Sequence, residues 1–505
     1  MGQLKKLAGQ TAIYGISSIL GRTVNFLLLP LYIIYLDKEA LGSFTNIYAL
    51  IAFFNVVFTY GMETTFFRFY TGKGLDQKKV YAQVQTLLII SSLTLGLIIF
   101  LSAEQLSIWL DYPGKHYLFQ WVAGILTIDA ILAIPYAKLR VENKALTFAL
   151  SKLGNILLNV GFNIVFIAVG FHIWNGDYLN GLQEFVSKYY HPDWGFEYIL
   201  LANLFANALM IPLLFYFSGT FKLQLDLKFL SPMWKYSIPL LFMGLAGVTN
   251  EVFSRWLFEY VIPENFYPSL SSREAGGIFG ANFRLAIFMS LIIQAFKFAA
   301  EPFFFNQAAD KNSPELFAKV MHAFVVFCST LMILVSVNLD IIGKIILVEK
   351  EYMDVMYIVP VLLLGYLFLG IYFNLSIWFK LTDHTKYSFY FTLLGAIVTI
   401  LTILLLVPKI GYMGAALSTL FCYSIMSAVC YFFGQKFFPI PYKTGKALFY
   451  ILLATGLSYA GFYIKSDYSI LQFIFRNLMA VPFLVLILLF EKKDIRAILL
   501  KRKSK

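Results

Sequence analysis

The sequence predicts an all-α integral membrane protein with about fourteen transmembrane helices. Three observations carry that expectation. First, 59% of the 505 residues are hydrophobic and only 13% are charged, about half the charged share of a soluble domain. A soluble fold has no place to hide that much apolar surface, whereas a bilayer does. Second, apolar stretches of about 20 residues, the length that spans hydrocarbon, recur along the whole chain. Third, Lys and Arg gather in every other connection, as the positive-inside rule requires.

Taken in order, the expected spans are Gly9–Leu36, Leu41–Gly61, Lys79–Ser102, His116–Ala137, Ala145–Gly170, Glu197–Gly219 and Pro232–Trp256. There follow Gly276–Phe303, Glu315–Asp340, Val355–Phe379, Tyr387–Val407, Gly411–Gly434, Ala447–Ile464 and Ser469–Phe490. The basic N-terminus resembles a signal peptide, but the apolar stretch behind it is long and carries Arg22, so it reads as a retained first helix. With the N-terminus inside, each cytoplasmic segment matches or exceeds its neighbours in Lys and Arg. A missed helix would invert the pattern downstream, so both termini are expected in the cytoplasm. The net charge of +12 is thereby explained without nucleic acid, and no nucleic-acid motif is present. The three cysteines, Cys328, Cys422 and Cys430, lie in apolar stretches, and the five histidines form no ligand pair. Neither a disulfide framework nor a metal site is expected.

Internal repeats set the layout. Glu39-Ala40-Leu41-Gly42-Ser43-Phe44 opens the second span and Glu274-Ala275-Gly276-Gly277-Ile278-Phe279 the eighth, with the shared pattern E-A-x-G-x-F. The sixth and twelfth spans align Gly195-Phe196 with Gly411-Tyr412, and Leu201, Leu204 and Phe205 with Leu417, Leu420 and Phe421. The first and seventh spans share a Tyr-x-Ile start at Tyr14 and Tyr236. These matches predict an N-terminal six-helix lobe over 1–219, a C-terminal lobe over 220–434, and two added helices with a basic tail over 435–505. Such lobes enclose a central cavity that opens alternately to the two sides.

Charged residues at membrane depth point to that cavity, because each costs at least a few kcal/mol unless it meets water or a partner. Arg22 lies near the bilayer middle, with Tyr14, Ser18 and Asn25 on the same helical face. Arg284 sits on the repeat-related eighth span. Lys152, Asn155, Asn159 and Asn163 form one stripe of the fifth span; that stripe suits either a cavity wall or hydrogen bonds between helices. Asp129, and Glu251 with Asn250 beside it, are the buried acidic candidates for a proton or cation site, or else counter-ions to Arg22 or Lys152. Arg476 reads as a snorkelling or packing residue, and Lys297 with Glu301 as an i,i+4 pair. Pro30, Pro135, Pro212, Pro239, Pro360 and Pro482 permit kinks within spans.

The paired halves, with GGIFGANFRLA (Gly276–Ala286) and VPKIGYMGAALSTL (Val407–Leu420), resemble the polysaccharide-export branch of the multidrug/oligosaccharidyl-lipid/polysaccharide (MOP) exporter superfamily. The resemblance covers essentially the whole chain. It implies a flippase for an undecaprenyl-pyrophosphate-linked oligosaccharide, such as an O-antigen, capsule or exopolysaccharide unit, in the bacterial cytoplasmic (inner) membrane. It also implies a cationic cavity, matched by Arg22 and Arg284. Drug exporters of the superfamily typically stop at twelve helices, so the last pair favours a lipid-linked cargo. Candidate partners are that cargo, membrane lipid, a polysaccharide polymerase and glycosyltransferases. No cofactor is expected, and a proton or sodium gradient is the candidate driving force. The chemistry agrees independently: arginine forks grip phosphate oxygens, and Asn, Tyr and Ser bond sugar hydroxyls. The alternatives are a lipid II flippase, a multidrug exporter of the same fold, or a membrane enzyme. An enzyme would need an acid–base constellation in a sizeable outer loop, and none is seen. The expected role is therefore a transporter without catalytic residues.

Overall fold

The computed structural model describes residues 23–24, 26–71, 75–307, 313–382, 384–464 and 469–491. Every regular element among them is helical, and no strand occurs. The main helices are α1 (Leu29–Tyr35), α2 (Lys38–Thr59), α3 (Gln77–Leu101), α4 (His116–Val141), α5 (Ala145–Asn163), α6 (Glu197–Ser218), α7 (Leu227–Val261) and α8 (Ser272–Leu285). They continue as α9 (Ile287–Gln307), α10 (Ser313–Val337), α11 (Val359–Leu375), α12 (Lys386–Phe437), α13 (Thr444–Tyr463), α14 (Ser469–Leu478) and α15 (Ala480–Phe490).

Among the described residues, ten helices are long and apolar enough to cross a membrane, or eleven when the bent pair α8–α9 counts as one span. This is a multi-pass membrane architecture, with fewer spans by that measure than the fourteen expected. The first expected span lies mostly outside the described residues and contributes only α1. The expected eleventh and twelfth spans form the single 52-residue run α12, which leaves helical geometry at Ile410 and Gly411. Helix starts are set locally: Asp37 accepts from the Ala40 amide at 2.7 Å, and Asp226 caps α7 through the Lys228 and Phe229 amides. The break in α12 lies two residues after Pro408. α4, α6 and α7 stay continuous through Pro135, Pro212 and Pro239. α8 and α9 instead meet at 45° around Ala286, where no proline stands.

The chain forms two compact units, Met1–Gly280 and Ala281–Lys505. In the first, α4 packs on α3, α5 and α6, and α7 packs on α2. Tyr60, Phe66, Tyr81, Leu88, Ile134 and Met233 form a buried apolar cluster in that unit. Side chains such as Leu93, Leu97 and Leu101 project outward instead, as suits a lipid-facing surface.

The E-A-x-G-x-F repeat marks a physical contact. A Cβ on Gly277 would stand 2.5 Å from the Lys38 carbonyl oxygen and 2.8 Å from the Gly42 nitrogen. A Cβ on Gly42 would run into the Arg273 carbonyl. The two repeat-equivalent glycines therefore let the first turns of α2 and α8 cross backbone to backbone, a use of small residues well suited to helices in lipid.

In the second unit α11 packs on α12, and α10 on α13 and α15. Ile333, Val337, Tyr450, Ala454 and Phe483 close the seam to the C-terminal helices. Arg476 is buried, pairs with Asp340 at 2.6 Å, and donates to the carbonyls of Ile464 and Phe462, a packing role that the sequence anticipated. Beyond α15, Glu491 pairs with Lys446 at 2.6 Å, lies 2.9 Å from His322 Nε2 and accepts from Tyr450. Burial opposes its charge, but these partners hold the carboxyl down at about 2, so this clamp stays ionised near neutral pH.

Candidate functional site

Two polar constellations stand out in the first unit. The deeper one centres on Asp129 in α4. Its carboxylate accepts from Asn207 of α6 at 2.7 Å and from Asn55 of α2 at 3.2 Å. Asn207 also donates to Asn203 at 2.9 Å and accepts from Asn155 of α5 at 2.8 Å. Asn203 in turn donates to the Tyr48 hydroxyl at 3.1 Å. Four helices thus aim amide groups and one carboxylate at a common point. The nearby Lys152 side chain places its Nζ 3.8 Å over the Tyr136 ring, a cation–π arrangement. The carboxylate oxygens receive amide N–H groups from two helices, and the lone pairs they leave over are the atoms that could take a proton or a small hard cation.

The fifth-span stripe divides between two neighbours. Asn155 belongs to the Asp129 network, while Asn163 donates to the Asn159 carbonyl at 2.7 Å and accepts from Tyr32 of α1 at 3.0 Å. Directly after Asn163 the helix loosens into a six-residue π turn, Ile164–Val169, a feature often found at working sites.

The second constellation lies where the ends of α2, α7 and α8 meet the α3–α4 connection. Arg273, only 13% exposed, donates from Nε to Glu259 at 3.0 Å and from an Nη to Asp111 at 3.2 Å. Its guanidinium also covers the Tyr112 ring at 4.4 Å. Glu259 accepts in addition from Asn46 of α2. Arg273→Ala leaves Glu259 buried without its cation, so the purified protein is expected to lose about 3 kcal/mol of stability. Thermal unfolding of the single variant and of Arg273→Ala/Glu259→Gln checks this. The double variant should recover part of the loss, and equal melting of wild type and single variant would show that the pair contributes nothing.

The sequence candidates fare unevenly. Tyr14, Ser18, Arg22 and Asn25 lie outside the described residues, as does the Glu301 side chain that was to pair with Lys297. Lys152, Asn155 and Asn159 are half-buried along α5. Arg284 is half-buried at the end of α8, two residues before the break at Ala286; broken helices supply binding groups in many transporters. Glu251 corrects an expectation: its side chain is exposed, while Asn250 beside it is 4% exposed. Neighbours on a helix point about 100° apart, so the two do not share one ligand shell. The buried acid of α7 is Glu259, two turns on. Asn55, Asn203, Asn207, Asn46 and Arg273 were not singled out. Asn203 and Asn207, four apart in an apolar span, were the signal available.

With this geometry in view, the chain can be set beside known proteins. No protein-family model and no curated protein sequence matches it. Solved structures do. One described as lipid II flippase MurJ in an inward closed conformation superposes with TM-score 0.69 at 16% identity, covering 96% of this chain and 100% of that one. A Vibrio cholerae MATE transporter carrying an aspartate-to-asparagine mutation gives TM-score 0.60 at 15% identity over 86% of this chain and 98% of the other. An inward-facing multidrug resistance MATE family transporter of the MOP superfamily gives 0.58 at 14% identity over 83% and 94%.

The chain has the MurJ and MATE fold.

Identities this low establish architecture alone. Within that architecture the Asp129 network belongs wholly to the first unit, and the break at Ala286 lies in the second.

Proposed function

We propose that this protein is a flippase that moves an undecaprenyl-pyrophosphate-linked oligosaccharide across the bacterial cytoplasmic membrane by alternating access. The observation that carries the reading is the MurJ-type fold over 96% of the chain. The MATE matches stop at 83–86%, and the extra coverage is what C-terminal helices α13–α15 would add. The fourteen-span reading counts the first helix, α13, and the two arms of α12 on either side of Gly411 as separate spans, with both termini cytoplasmic. Arg22 and Arg284 grip the pyrophosphate. Tyr14, Ser18, Asn25, Lys152, Asn155 and Asn159 bond the sugars. Asp129 binds the coupling proton or sodium ion, and Glu251 with Asn250 is a weaker candidate because the two side chains face different surroundings. A polysaccharide polymerase and glycosyltransferases are its candidate partners.

The test is flipping of a fluorescent lipid-linked oligosaccharide in proteoliposomes. Arg22→Ala and Arg284→Ala are each expected to cut the rate about tenfold or more, at unchanged reconstitution, while the lysine variants recover part of it, since an ammonium lacks the planar fork. Wild-type proteoliposomes that leave the probe in its original leaflet would refute the reading. The MurJ likeness favours one second reading, a lipid II flippase; competition by lipid II stronger than by the oligosaccharide lipid would select it.

A further inference from the structure

The connection between α5 and α6 contains a short helix, Gln183–Tyr189, entered through the tight turn Asn180–Leu182. At about 100° per residue its side chains fall on three sides, each about 100° or more from the next. One side packs on the protein. Gln183 donates to the Trp174 carbonyl at 3.2 Å, Val186 is half-buried, and Tyr190 just beyond stacks on Tyr198 of α6 with ring centres 5.1 Å apart. A second side carries Glu184 and Lys188, both exposed. The third is apolar: Leu182, Phe185 and Tyr189 lie within about 60° of one another and are 50%, 66% and 60% exposed. Single exposed apolar residues are ordinary on a protein surface, but an aligned set marks a face that meets something apolar.

The neighbouring span says what that is. Leu150, Leu157, Ile164 and Phe171 recur every seven residues along the span Ala145–Asn175, and all four project outward. This is a lipid-facing flank. It runs up to Gly170–Asn175, the very segment on which the short helix packs. Trp174 and Tyr190, with ring centres 6.1 Å apart, stand at the junction, as amphipathic aromatic residues do where hydrocarbon meets water. The exposed apolar face therefore continues a lipid surface at headgroup level.

We infer that the helix Gln183–Tyr189 lies in the bilayer surface, with Leu182, Phe185 and Tyr189 inserted among the lipid chains and Glu184 and Lys188 in water. The placement in the outer leaflet rests on the proposed topology. The insertion itself does not, and it holds whatever cargo the protein moves. Its effect is to pin the α5–α6 connection to the membrane, so that the adjoining ends of both helices move with the surface.

The experiment uses the full chain in nanodiscs of phosphatidylethanolamine and phosphatidylglycerol, which are open on both faces and so read insertion independently of orientation. A nitroxide is attached at Phe185→Cys, Leu182→Cys or Glu184→Cys in turn; the three native cysteines are buried and leave the label to the introduced one. Power saturation then compares collisions with oxygen, which concentrates in lipid, and with a water-soluble nickel chelate. The labels at 185 and 182 are expected to favour oxygen, at a depth of about 5–10 Å below the headgroups, and the label at 184 to favour nickel. Labels at 185 and 182 as open to nickel as the one at 184 would show a face in water and overturn the inference. Labels at 185 and 182 shielded from both reagents would show a face covered by protein, a second copy of the chain or a partner, and would overturn it equally. All three sites are exposed, and an unchanged elution profile confirms that each labelled protein is folded.

Discussion

Gly277→Val is expected to be among the most damaging single substitutions outside the cavity. Its Cβ would stand 2.5 Å from the Lys38 carbonyl oxygen and 2.8 Å from the Gly42 nitrogen. Both obstacles are backbone, so no rotamer change makes room. Overpacking of this kind costs typically 1–3 kcal/mol, and more where backbone must shift. Gly42→Val meets the Arg273 carbonyl from the opposite side and should do comparable harm. Gly456→Ala is the control. Nothing lies within 4 Å of the added carbon there, and alanine favours a helix by up to about 1 kcal/mol over glycine. Thermal melting in detergent followed by size-exclusion chromatography checks all three. A Gly277→Val protein that melts with wild type would mean that the α2–α8 crossing is not held as described.

The second large effect is expected at Asp129. Asp129→Asn keeps the shape of the side chain but removes its charge and one acceptor oxygen. In proteoliposomes with an imposed proton or sodium gradient, driven flipping should fall about tenfold, while flipping without a gradient changes little. The rival role, a counter-ion for Lys152, makes a different forecast. Removing both charges in Asp129→Asn/Lys152→Met would then restore what the single change lost. The coupling role predicts no restoration. A gradient response that survives in Asp129→Asn removes this carboxylate from the mechanism. Asp129→Ala is less informative, because it strands the Asn55 and Asn207 amides at about 1–3 kcal/mol each.

The contrast between these two sites says what a membrane sequence discloses. Span positions were legible because hydrocarbon demands long apolar runs, and α2, α4 and α6 begin within a few residues of the expected starts. The E-A-x-G-x-F repeat was legible as symmetry, but nothing in it announced that the two copies touch through Gly42 and Gly277. The Lys152–Asn155–Asn159 stripe was legible because a helix puts every third or fourth residue on one face. Its partners were not, because a period identifies a face and leaves open what faces it. So Asn55, Asn203 and Asn207 went unremarked while Asp129 was found. Glu251 and Glu259 lie two turns apart on the same face, at different depths, and only packing decides which one is enclosed. The bend at Ala286 has no proline or glycine at the break to betray it, and the length of α12 hides a turn that Gly411 makes with φ 52°.

The π turn after Asn163 carries a mechanical consequence. Six residues, Ile164–Val169, hold one residue more per turn than their surroundings require. Such slack can travel along a helix without breaking its ladder of bonds, and each residue it passes is turned by about 100° about the axis. If the slack moved one turn toward the N-terminus, Asn163 would swing away from Tyr32, while Asn155 kept its hold on Asn207. The fifth helix would then act as a crankshaft, converting a short axial slip into the gain or loss of the Asn163 contact with the first helix.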